Sequence, residues 1–424
     1  MISTLRNAWR IPELRKKIIF TLLMLLVFRL GSSIPVPYMN KAIIADIFEK
    51  SRGGILEFLD LMGGGTFSSF SVFATNIYPY ITASIVIQLL TIAIPSLEEL
   101  AKQGEEGKKK ITKYTKYLAI GLALIQAIGY TFGLFSSALE TSNALQNVIV
   151  ILSMVAGTAF LMWLGDLITE KGVGNGISLL IFIGIISKLP NDIIFRIQLI
   201  RLGYLNIIKE LLFAILIVVI IALVVALQEG ERKIPVQYAK RVVGRKMYGG
   251  QSTHIPIKVS MAGVIPVIFA SSILAFPQTI ALFFKGSPSA WIEKYLTPAG
   301  NVGVWIYSIL NITLIMFFTY FYTAIQFNTV EYAKNLQQHG GFIPGIRPGR
   351  PTSEFLNKVV TRITFVGGLS LAVLASLPII LSKLFGMNVN FGGTAVIIVV
   401  GVALETVKQL EAQMLMRHYK GFLN

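Results

Sequence analysis

Apolar runs of about 20 residues, the length a helix needs to cross hydrocarbon, recur along the chain between polar stretches. Ten are legible, at about 18–35, 76–94, 115–135, 147–168, 177–190, 206–228, 259–284, 303–328, 361–384 and 393–416. The fifth is short before Pro190 and can run on through IIFRIQLI with a kink. The pattern predicts an all-α polytopic membrane protein of about ten transmembrane helices. Five runs precede the 191–205 connection and five follow it, which is compatible with two pseudo-symmetric halves, 1–190 and 206–424. No residue-level repeat supports the halves.

One stretch breaks the pattern. Residues 55–94 read ILEFLDLMGGGTFSSFSVFATNIYPYITASIVIQLLTIAI. The second half, from Asn76, is apolar enough to span. In the first half a short apolar helix, Ile55 to Met62, meets Gly63, Gly64 and Gly65, and hydroxyls then alternate with Phe67, Phe70 and Phe73. Glycine-broken backbone facing lipid would leave polar groups unpaired at several kcal/mol each, so it is tolerated at depth only inside protein or in a wet cavity. Two readings stay open: an ordinary outside loop, or a movable stopper in a pore.

Composition agrees with the membrane reading. Of 424 residues 54% are hydrophobic and only 14% charged, with mean hydropathy +0.69, against about 25% charged in soluble domains. The basic start continues into a full-length run instead of a cleaved leader. The net charge of +17 is mostly orientation: Lys and Arg divide 27 to 9 between the two sides, which puts both termini in the cytosol. Two basic cytosolic loops, 229–258 and 329–362, are long for connectors. Their turn residues and aromatics suit docking of a partner.

Chemistry is sparse. Without cysteine there is no disulfide, thiol nucleophile or thiolate metal site. His254, His339 and His418 make no ligand pair, and no metal or cofactor is expected. There is no phosphate-binding loop, so the chain should not hydrolyse nucleotide. Gly172, Gly174 and Gly176 in GVGNG read as a turn into a helix. Arg29 and Glu405 are the only charges well inside the runs; Arg29 can snorkel outward and Glu405 has Lys408 as a local partner. Ile77 and Ile81, and Ile181 and Ile185, stand at i, i+4, ordinary for packing. Thr82, Gln126 and Ser272 are mid-span polar residues suited to interhelical hydrogen bonds.

Longer strings are more specific: YPYITASIVIQLL (Tyr78 to Leu90), EEGKKKITKYTKY (Glu105 to Tyr117), KGVGNGISLLIF (Lys171 to Phe182), QSTHIPIKVSMAGVIPVIFASS (Gln251 to Ser272), GFIPGIRPGRPT (Gly341 to Thr352) and NFGGTAVIIVV (Asn390 to Val400). With them the chain resembles, over nearly its whole length, the SecY family, the channel subunit of the bacterial Sec protein translocase. That resemblance implies a non-enzymatic protein-conducting channel in the bacterial cytoplasmic membrane. It would pass unfolded secretory polypeptides and release hydrophobic segments sideways into the phospholipid bilayer. The stopper would be a plug at about 55–71, including Ile55, Phe58, Leu59, Leu61, Met62, Gly63, Gly64, Gly65, Thr66 and Phe67. Ile77, Ile81, Ile181, Ile185, Ile268 and Ile398 would form the pore ring. Thr82, Gln126, Ser272 and Phe276 would line the lateral gate between spans two and three and spans seven and eight. The implied partners are SecE- and SecG-type small membrane subunits, the SecA motor ATPase, the ribosome and signal-bearing preproteins. Arg347 matches the position tied to the motor, and Arg245 with Lys246 a basic pair at the ribosome contact. The family usually has two arginines there, and Lys246 keeps the charge without the fork geometry.

Two other classes compete. A secondary transporter would need ion-binding groups at mid-membrane, which the runs hardly offer. A membrane-embedded protease would need a Ser/His pair, paired aspartates or an H-E-x-x-H in the runs, and none is present.

Overall fold

In a computed structural model the described residues are 2–50, 60, 63–140, 143–204, 206–238, 241–243, 246–248, 252–281, 287–297, 302–385 and 393–420. Helices lie on all ten apolar runs. They are α2 (Pro12–Gly31), α4 (Tyr78–Ala93), α6 (Glu105–Gly129), α7 (Ala144–Lys171), α8 (Gly176–Arg201), α9 (Ile207–Glu229), α10 (Ile265–Ala281), α12 (Gly303–Gln326), α14 (Arg350–Phe385) and α15 (Gly393–Lys420). Between them lie α1 (Ile2–Arg10), α3 (Lys41–Lys50), α5 (Pro95–Lys102), α11 (Ser287–Leu296) and α13 (Thr329–Gln338). By length and apolarity seven spans qualify among the described residues. An eighth is added if α4 and α5, bent by 101° at Ile94, count as one. The short α10 and the charge-rich start of α2 fall outside that test.

The helix boundaries have local causes. Asn175, Asn206 and Asn328 cap α8, α9 and α13 by accepting backbone N–H bonds from the first turn, at 3.1 Å from Ile177, 2.9 Å from Ile208 and 3.2 Å from Val330. Such a cap contributes about 1 kcal/mol. The GVGNG stretch is the turn between α7 and α8, with Gly174 at φ +88°, a conformation that favours glycine. The helix α8 does not stop at Pro190 but continues to Arg201, through most of the predicted 191–205 connection. The ion pair of Arg196 with Glu210 (2.9 Å) then closes α8 onto α9, with the guanidinium over the Phe213 ring.

The two long loops depart furthest from the all-α expectation. Loop 229–258 folds into β1 (Glu231–Tyr238), β2 (Arg241–Val243), β3 (Lys246–Tyr248) and β4 (Ser252–Lys258). β1 pairs antiparallel with β4, Ile234 opposite Ile255, and β2 with β3. Loop 329–362 is half helical: it carries α13, then β5 (Gly341–Phe342), and α14 already begins at Arg350. β5 adds to the free edge of β1, Tyr238 opposite Gly341, giving the order β4-β1-β5. Ile234, Val236, Ile257, Leu336, Ile343 and Leu356 form one apolar core beneath. The loops are therefore one folded unit.

Candidate functional site: an apolar constriction and its stopper

The six isoleucines singled out above come from four places in the chain. Ile77 and Ile81 stand at the start of α4, Ile181 and Ile185 one turn apart on α8, Ile268 on α10 and Ile398 on α15. All six belong to one large cluster of buried apolar residues, with Ile77 1% and Ile185 0% exposed. None has a polar group to offer. The cluster joins helices from both ends of the sequence through buried apolar side chains.

The glycine-broken segment lies against it. Ile55, Phe58, Leu59, Leu61 and Met62 lie outside the described residues. Gly63 and Gly64 are buried and Gly65 half-buried. Gly64 has φ +67°, and a Cβ there would stand 2.7 Å from the Cα and carbonyl oxygen of Gly184, beside Ile185 on α8. Only glycine fits that approach. Thr66 and Phe67 are buried, and the Phe67 ring packs edge-on to Tyr130 (4.9 Å between centroids) and Phe135 (5.6 Å). The segment is then pinned to the chain after α2, with Val36 N–H donating to Phe70 O and Val72 N–H to Ile34 O, both at 2.9 Å. Several of its described backbone groups are paired inside protein, Gly65 N–H to Asp60 O and Ser71 N–H to Thr66 O both at 2.9 Å, the kind of pairing non-helical backbone at depth requires.

Two expectations about charge change. Arg29 does not snorkel away: its Nη1 donates to Gly64 O (3.1 Å) and Ser187 Oγ (3.3 Å). Lys408 donates to Gln228 O (3.3 Å) instead of pairing with Glu405, which is exposed. Sequence reasoning also missed Asp60, a buried carboxylate paired with Lys188 of α8. Two acids, Glu57 and Asp60, in the otherwise apolar run ILEFLDLM were the available signal.

The four predicted seam residues lie on three helices. Thr82 is half-buried on α4 and Gln126 buried on α6, its Oε1 without a hydrogen-bond partner among the described residues. Ser272 is buried on α10, its hydroxyl donating to Ile268 O (2.8 Å). Phe276, one turn on, is 44% exposed. The helix α4 packs against α6 on one side and α10 on the other, and α10 against α12. One bond, not anticipated, crosses from α4 to α12: Tyr322 Oη donates to Gln88 Oε1 (2.5 Å). Gln88 is held for it by its own Nε2 bond to Ser84 Oγ (3.2 Å).

On the sheet side, Arg245 lies outside the described residues and Lys246 opens β3. Arg347 is exposed between Gly345 and Gly349, both at positive φ, and its carbonyl is fixed by Thr352 Oγ1 (2.9 Å). Among the described residues no group of three or more His, Asp and Glu is placed to hold a metal ion.

The profile of the SecY family matches residues 71–407. The protein translocase subunit SecY of Halalkalibacterium halodurans is 47% identical, with both chains covered over 100% of their length. The chain belongs to the SecY family. The SecY of Thermotoga maritima is 44% identical, over 100% of this chain and 98% of that one. Among solved structures the SecY fold recurs in a protein-conducting channel, 20% identical with a TM-score of 0.68, over 94% of this chain and 92% of that chain. It recurs again in Sec61 of the canine ribosome–channel complex, 18% identical with a TM-score of 0.64, over the same shares.

Proposed function

We infer that this chain is a protein-conducting channel, the SecY-type subunit of a bacterial translocase in the cytoplasmic membrane. The observation that carries the reading is that Ile77, Ile81, Ile181, Ile185, Ile268 and Ile398 share one buried apolar cluster, with a glycine turn seated against Gly184 beside it. An unfolded polypeptide cannot cross hydrocarbon with its backbone unpaired. It needs a wet path that does not leak at rest. A ring of apolar side chains seals such a path by dewetting. Isoleucine suits it because a bulky apolar side chain cannot hold any one substrate by hydrogen bonds.

In this reading ten helices span the bilayer as two halves that meet at the short turn between α8 and α9, later than the 191–205 connection expected from the sequence, with both termini cytosolic. Segment 55–71 is the plug, and it moves when the ring widens. Thr82, Gln126, Ser272 and Phe276 line a seam that parts sideways into lipid. Polar contacts there are worth about 0.6–2 kcal/mol each, whereas burial of a leucine-class side chain is worth about 1.5–3 kcal/mol. A signal helix with several such residues therefore outcompetes the closed seam. The chain has no nucleotide-binding motif of its own, so force comes from a partner. Arg347 and Lys246 on the folded cytosolic unit, with Arg245 next to Lys246 in sequence, are the docking residues for SecA or a ribosome, and SecE- and SecG-type subunits complete the assembly.

Reconstitution into lipid vesicles with the small membrane subunits, SecA and ATP tests this. A signal-bearing unfolded polypeptide becomes protease-protected only with ATP, and Arg347→Glu abolishes protection while the protein still inserts. Protection without ATP, or none with all partners bound, refutes the motor-driven channel, and normal export by Arg347→Glu removes that residue from the docking site.

A further inference from the structure

The glycine turn of segment 55–71 is held by more than shape. Asp60 is 3% exposed, and its groups reach in three directions. Its Oδ1 accepts the Ser68 backbone N–H (2.6 Å), its carbonyl accepts that of Gly65 (2.9 Å), and its Oδ2 pairs with Lys188 Nζ. Lys188 stands on α8, one turn beyond the Gly184 that Gly64 touches. Arg29 of α2 reaches the same turn, donating to Gly64 O and to Ser187 Oγ beside Lys188. Two cations from two spanning helices thus converge on one turn. Neither isoleucine packing nor the seam makes use of them.

We propose that Asp60, Lys188 and Arg29 are a polar latch that holds the turn against α8, and so are positioning residues for the resting seal. The inference rests on segment 55–71 being the plug. The physics is that of a buried pair. A carboxylate out of water is costly unless paired and hydrogen-bonded, and removing one partner leaves the other uncompensated. While the turn is seated, Asp60 has Lys188 and the Ser68 N–H. When the turn leaves α8, the ammonium and carboxylate part and each must be rehydrated. Withdrawal is opposed until the widening ring admits water, which then solvates both ends. The latch is therefore tight in the dry state and weak in the wet one. An apolar plug contact would not have that property, because water does not release it.

The test is the resting ion current of the full chain, with its small subunits, in a planar lipid bilayer. Lys188→Asp, Asp60→Lys and Arg29→Gln each raise the current at least about tenfold over wild type. The exchange Asp60→Lys with Lys188→Asp lowers it again, and Lys188→Arg, which keeps the charge, stays near wild type. Deletion of 55–71 gives the fully leaking reference. Single variants at wild-type current beside a leaking deletion overturn the latch and leave the plug standing. So does an exchange that leaks like the singles together with a leaking Lys188→Arg, because those residues then act by packing alone. A deletion that leaks no more than wild type removes the plug, and the latch with it.

Discussion

Replacing Tyr322 with Phe removes one hydroxyl and almost no volume, and it probes the seam more cleanly than any larger change. Tyr322 is buried on α12, in ring contact with Phe269 of α10 (5.3 Å between centroids), and that packing survives the substitution. What is lost is the bond to Gln88 of α4, across the face that opens in the proposed seam. Interhelical hydrogen bonds of this kind contribute about 0.6–1.7 kcal/mol, so the closed seam should be disfavoured about 3- to 18-fold. The value should lie toward the upper end, because Gln88 is already oriented by Ser84 and loses little freedom on pairing. The assay is export of a preprotein whose signal helix has been shortened by two or three leucines. Tyr322→Phe should restore part of the lost export, Gln88→Leu should do the same, and the double variant should add little beyond either single. Fully additive effects, or no rescue by Tyr322→Phe in a normally folded protein, would refute the idea that this bond holds the seam.

Other outcomes follow from the same geometry. Ile185→Asn puts an amide into the dry cluster, at about 1–3 kcal/mol for its unmet hydrogen bonds beyond the lost packing. Because the open state hydrates it, ion leak through reconstituted vesicles should rise about tenfold or more; an unchanged leak would take Ile185 out of the ring. Gly157→Ala drives a Cβ to 2.0 Å from Val72 O, where α7 meets the segment that follows the plug. It should cost about 1–3 kcal/mol, read as a lower thermal unfolding midpoint in detergent, and an unmoved midpoint would mean that α7 is free to shift. Asn175→Ala loses two backbone partners at the head of α8 and should lower the same midpoint by an amount matching about 1 kcal/mol.

Spanning helices were legible because their signal is local: each run carries its own apolarity, and the helices lie where the runs do. The course of α8 through Pro190 was only half legible, since a proline more often ends or kinks a helix, whereas here α8 runs on to Arg201 and Arg196 pairs with Glu210 of α9. The isoleucine pairs at i, i+4 had no meaning as spacing, because the cluster depends on Ile268 and Ile398 arriving from the other end of the chain. Contacts between distant residues were illegible for the same reason. Asp60 finds Lys188 across 128 positions and Gln88 finds Tyr322 across 234, and no local pattern encodes either. The small sheet was hidden because β5 is two residues long and comes from the second loop. A strand that short is stable only as an addition to an existing edge.

The helix α14 runs unbroken for 36 residues, about 54 Å at 1.5 Å per residue. A hydrocarbon core takes up about 30 Å, which leaves about 24 Å of the same rod outside. Near its start Leu356 packs under the shared sheet, and about 27 Å further along the rod Leu374 and Ala375 belong to the same large cluster as Ile398. Sheet and rod together make a crank. In the proposed channel, a docked partner that tilts the sheet by a few degrees sweeps the outer end of the rod sideways and carries the inner part with it. In that reading, work done on the sheet reaches the apolar cluster without any ligand entering the membrane.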